Sequence, residues 1–107
     1  MNYDIHVYWR NSDEREEALE LQKVLIESNA QTFPFVEKPM GPHPYLMFES
    51  HVTTQTLPVI ESLLAVNRKS YSILIHEKTG DHNYDHTKWA RFLGEPFELN
   101  IEFLRNF

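Results

Sequence analysis

The chain has 107 residues, 16 acidic against 10 basic side chains and a net charge of -6 with histidine neutral. One domain spanning 1–107 is expected at that length, and the acidic excess argues against nucleic acid as a partner. The lack of cysteine excludes disulfides and thiolate metal sites. With no secretory leader and no apolar run near the ~20 residues of a membrane span, a cytoplasmic protein is expected.

Residues 3–9 alternate with period two and predict a strand, with Ile5 and Val7 on one face and His6 and Tyr8 on the other. Asn11, Ser12 or Asp13 supplies a helix cap, and Asp13 with Glu16 has the spacing of a capping box. The spacing of Ala18, Leu21, Val24 and Leu25 predicts an amphipathic helix from 14 to about 28. Its acidic first turn, Glu14-Arg15-Glu16-Glu17, suits the positive end of the helix and reads as solvated surface. Residues 33–36 form a short extended stretch. Segment 37–44 holds Pro39, Pro42 and Pro44, which stiffen it into a structured loop.

Residues 45–51 alternate again, with Leu46 and Phe48 opposite Tyr45, Met47, Glu49 and His51. Thr53 or Thr54 caps a second helix reaching about residue 67, with Leu57, Ile60, Leu63 and Leu64 on its apolar side. Pro58 is tolerated in its first turn. Residues 71–76 read as a strand with Ile73 and Ile75 opposite Leu74 and His76. A polar loop, 79–87, is followed by a short helix predicted around 88–93 and ended by Gly94. The tail, 97–107, reads as an extended segment that packs on the body or on a second subunit.

This order predicts an α+β, ferredoxin-like β-α-β-β-α-β antiparallel sheet with both helices on one face and a C-terminal extension. The first strand then lies between the third and fourth. Its uncovered face carries His6, Tyr8, Tyr45, Met47, Glu49, Leu74 and His76. Two imidazoles and a carboxylate on adjacent strands are the donors of a facial triad, so His6, His76 and Glu49 are the candidate metal ligands. His43, His51, His82 and His86 remain for acid–base chemistry, which needs an imidazole titrating near neutral pH. Tyr8, Tyr45 and Met47 suit either a substrate pocket or a dimer interface. Trp89, Phe92 and Leu93 read as packing residues.

Several ordered motifs carry a family resemblance. Gly41-Pro42-His43-Pro44 followed by Met47-Phe48-Glu49, then His76, Thr79-Gly80-Asp81, Asp85-His86-Thr87 and Leu93-Gly94, resembles the DOPA 4,5-dioxygenase family from about residue 4 to 104. His6-Val7-Tyr8 fits the family's opening strand, and Glu37-Lys38-Pro39 fits its lead-in to the loop. The resemblance implies a small, ferredoxin-like homodimer that uses non-haem Fe(II), with Zn able to take its place, and O₂ to open a catechol such as DOPA beside its hydroxyls. It implies His6, His43, His76, His86 and Glu49 as site residues. The strand geometry selects His6, His76 and Glu49 as ligands, with His43 as first alternate. His43 and His86 are then the catalytic acid–base groups, and Tyr8, Tyr45 and Met47 contact the substrate ring. His82-Asn83-Tyr84 depart from the family loop, which bears on substrate identity. Two other readings are a non-catalytic, dimeric metal- or aromatic-binding module and a metal-free isomerase or cyclase.

Overall fold

The computed structural model describes residues 2–38, 45–67, 72–78 and 90–94. Strand β1 (Asn2–Trp9) is followed by helix α1 (Ser12–Glu27), a two-residue strand β2 (Gln31–Thr32), β3 (Leu46–Thr53), α2 (Leu57–Asn67), β4 (Ile73–Glu77) and β5 (Ala90–Leu93). The sheet order is β2-β3-β1-β4-β5, and every neighbouring pair is antiparallel. The first four strands give the ferredoxin-like arrangement, with β1 between β3 and β4 as expected; β5 adds a strand beyond β4. Among the described residues, no helix is long and apolar enough to cross a membrane.

Local chemistry accounts for the helix boundaries. Asn11 is extended, and its Oδ1 accepts the Glu14 amide at 2.9 Å, so Asn11 is the N-cap. The Arg10 amide and guanidinium donate to the Glu14 carboxylate, which is buried. The expectation of solvated surface at 14–17 therefore fails at Glu14, because Arg10 supplies the donors that let a carboxylate leave water. Asn29, at φ 65, turns the chain just past α1; its short polar side chain tolerates the left-handed region. Helix α2 starts at Leu57, because β3 runs on to Thr53 and a threonine-bonded turn intervenes.

One predicted element needs correction. The predicted helix around 88–93 is a strand where it is described. Ala90 and Phe92 pack against one sheet face and Leu93 against the other, a two-residue period that supplies partners to the β4 backbone edge. The extended stretch at 33–36 is an irregular continuation of β2 along β3, held by the Phe33 amide on Glu49 O (2.9 Å) and a bridge between Val36 and Met47.

The main core lies between the sheet and the helices. Ile5, Val7, Trp9, Phe48, Val52, Ile73 and Ile75 meet Ala18, Leu21, Leu25, Leu57, Ile60 and Leu64. Each fully buried aliphatic or aromatic side chain contributes about 1.5–3 kcal/mol. The opposite face holds a smaller cluster: Tyr8, Met47 and Leu74 are buried, with Val36, Tyr45, Ala90 and Phe92 around them. This second face positions the site.

Candidate metal centre

Alternation along β1 sends Asp4, His6 and Tyr8 to the face away from the helices. Cross-strand register then decides what they meet. His6 is paired with Glu49, Asp4 with His51 on one side and with His76 on the other. Directly opposed side chains on one face are within contact distance, so five ionisable groups gather on three strands.

Their polar atoms form a closed circuit. His6 Nε2 is 2.9 Å from His76 Nε2, and His76 Nε2 is 3.8 Å from Asp4 Oδ2. Asp4 Oδ1 is 3.3 Å from His51 Nε2, which is 3.0 Å from Glu49 Oε2; Glu49 Oε1 returns to His6 Nε2 at 3.5 Å. The His6 and His76 side chains are 3% exposed, whereas His51 and Glu49 reach solvent at 23% and 30%. Burial holds the Glu49 carboxyl above its ordinary value, and neighbouring Asp4 pushes it further; His51 and Lys78 partly oppose this. Burial, reinforced by Glu49, likewise lifts the Tyr8 phenol well above its ordinary value.

Tautomers follow from the outer nitrogens. His76 Nδ1 contacts the Glu77 carbonyl at 3.0 Å and His6 Nδ1 contacts Met47 Sδ at 3.2 Å. A carbonyl and a thioether only accept, so each Nδ1–H donates and each neutral imidazole turns the Nε2 lone pair inward. Two lone pairs 2.9 Å apart in a buried site repel unless a cation, either a proton or a metal ion, lies between them. Donors about 2.1 Å from one ion and at right angles around it are roughly 3.0 Å apart, so the observed separation fits a shared ion. The Glu77 carbonyl fixes ring orientation, as partners of metal-bound histidines commonly do.

Asp4, His6 and His76 form a buried group whose ligand atoms all lie within 4.8 Å of one another and which could hold a metal ion. Glu49 touches His6 and joins a second such group with Asp4 and His51. The structure thus brings His6 and His76 together as expected from the sequence; Glu49 stands beside His6 and groups with Asp4 and His51, and the carboxylate grouped with both histidines is Asp4, which that reading missed. Its signal was available: Asp4 stands two residues before His6 and shares its face. Tyr8 and Met47 are buried beside the histidines, with Tyr45 partly buried against them. His43, His82 and His86 lie outside the described residues.

Comparison with known proteins gives this geometry a context. The profile of the Dopa 4,5-dioxygenase family matches residues 3–103. A DOPA 4,5-dioxygenase of Amanita muscaria is 32% identical over 108 residues, covering 94% of this chain and 47% of that protein. An uncharacterised 21.2 kDa protein of Botryotinia fuckeliana is 29% identical over 117 residues, covering 96% of this chain and 63% of its own. The chain therefore spans about half to two thirds of the length of these relatives. The crystal structure of a candidate dioxygenase from Nostoc punctiforme PCC 73102 superposes with a TM-score of 0.92 at 32% identity, covering 98% of this chain and 91% of that one. With a profile match over nearly its whole length, the chain belongs to the Dopa 4,5-dioxygenase family.

Proposed function

We propose that the chain is an extradiol ring-cleaving dioxygenase acting on a catechol such as DOPA, with non-haem Fe(II) held by His6, His76 and the carboxylates of Asp4 and Glu49. The observation that carries this reading is the 2.9 Å convergence of two buried Nε2 atoms beside carboxylates, in a chain of this family. Two imidazoles with a carboxylate are the donor set of non-haem Fe(II) oxygenases, which leave positions open for substrate and O₂. When bound, the ion supplies Lewis acidity toward the catechol oxygens and the redox link to dioxygen. Both oxygen atoms enter the product, so no external reductant is consumed.

The protein's own groups do the rest. Burial keeps water from His6 and His76, and the Glu77 carbonyl and Met47 sulfur hold their rings in the orientation that turns Nε2 inward. Tyr8 stays protonated and so serves as a donor rather than a charged competitor for the ion. With Met47 and Tyr45 it forms the apolar wall proposed for the aromatic ring. His43 and His86 take and return the catechol proton in this reading, and the protein works as a cytoplasmic homodimer, which light scattering measures.

The test is anaerobic reconstitution with Fe(II), then L-DOPA and a panel of simpler catechols. Expected are stoichiometric O₂ uptake and a yellow ring-opened product. Tight metal binding with no uptake across the panel would instead assign a binding module.

A further inference from the structure

Both carboxylates of the centre divide their oxygens between two sets of imidazoles. Asp4 turns Oδ2 toward His76 and Oδ1 toward His51; Glu49 turns Oε1 toward His6 and Oε2 toward His51. Bridging carboxylates have this disposition when one ion lies on each side of them.

We propose a second divalent-cation position beside the first, held by His51 Nε2, Asp4 Oδ1 and Glu49 Oε2. It rests on the reading that His6 and His76 hold an ion, and adds a neighbour to it. The three atoms belong to a group whose members all lie within 4.8 Å of one another. A second observation singles out this point. Asp4 is only 8% exposed, and its Oδ1 is buried without a hydrogen-bond partner although it points at His51 Nε2 from 3.3 Å. The His51 ring makes its hydrogen bond to Glu49 Oε2 instead, at 3.0 Å. One imidazole N–H therefore satisfies one carboxylate and leaves the other oxygen without a donor, a costly state for a buried acceptor. A cation between the three atoms satisfies all of them.

Two oxygens and one imidazole favour Mn²⁺, Fe²⁺ or Zn²⁺ over softer ions. Paired ions of this kind lie about 3.5–4 Å apart, short enough for the same two carboxylates to serve both. Entry is open on the outer side, where the His51 and Glu49 side chains are 23% and 30% exposed.

The experiment loads the metal-free protein with Mn²⁺ alone. Bound metal per chain is measured at equilibrium, and the electron paramagnetic resonance spectrum is recorded. Two ions per chain are expected, with a spectrum broadened by coupling between them. His51→Ala should fall to one ion per chain with a resolved six-line signal, and His51→Gln carries the same test if the alanine variant does not fold. One ion per chain in the parent protein, or two retained in the folded His51 variant, overturns the second position while leaving the inner site intact. No bound ion in the parent protein overturns both.

Discussion

The two faces of one sheet make opposite use of the same strand. On the helix side of β1, Ile5 and Val7 are fully buried among apolar neighbours and have no polar side-chain atom to satisfy. On the other side, Asp4, His6 and Tyr8 are buried almost as deeply, among carboxylates and imidazoles whose lone pairs converge. Burial stabilises the first set through the hydrophobic effect. In the second it raises the energy of any unpaired polar atom, which is what makes a cation welcome there. Equal burial thus yields a core on one face and a reactive centre on the other.

Substitution should separate the two faces. The largest effect is expected from His76→Ala: loss of the ion held by His6 and His76 and of catechol-dependent O₂ uptake, with the protein still folded. Loss of metal affinity should exceed the ~10–100-fold typical of partners that merely orient a ligand. Calorimetric metal titration beside oxygen-electrode traces measures both, and a variant that keeps metal and turnover contradicts the assignment. Phe48→Ala, on the helix side, should lower stability by about 3–5 kcal/mol in urea unfolding. At concentrations where it stays folded, it should leave metal stoichiometry unchanged.

Smaller effects sharpen the contrast. Asn11→Ala removes the cap on the Glu14 amide and should cost about 1 kcal/mol, again without touching metal binding. Glu49 tests the polar face by pH. Its carboxyl is held above the ordinary value of 4.5, so the folded metal-free protein binds a proton more tightly than the unfolded chain does. The stability that follows is fully present below the unfolded value and is lost as pH rises through the folded one. Urea unfolding in chelator from pH 4 upward should show that decline, reduced in Glu49→Gln. An undiminished slope in the variant would place the titrating group elsewhere.

Much of this was legible in residue order. Alternation along β1, β3 and β4 assigned Ile5, Phe48 and Ile75 to one face and His6, Glu49 and His76 to the other, since side-chain direction in a strand depends only on parity. Helical spacing located α1 and α2. The segment at 90–93 was misread because four residues between a polar loop and a glycine carry too little pattern to separate helix from strand; pairing with β4 decided it.

Parity and spacing are local properties, so the sequence by itself determined the elements other than β5, the face each residue of β1, β3 and β4 occupies, and a pool of candidate ligands that lacked Asp4. Only the tertiary structure decided which members of that pool meet. His6 and His76 are 70 residues apart in the chain, and their 2.9 Å approach depends on strand order and register. Asp4 was not among the ligands read from the sequence. It becomes a buried, two-sided carboxylate because β3 and β4 flank it with His51 and His76, and that long-range pairing is not encoded in the residues beside it.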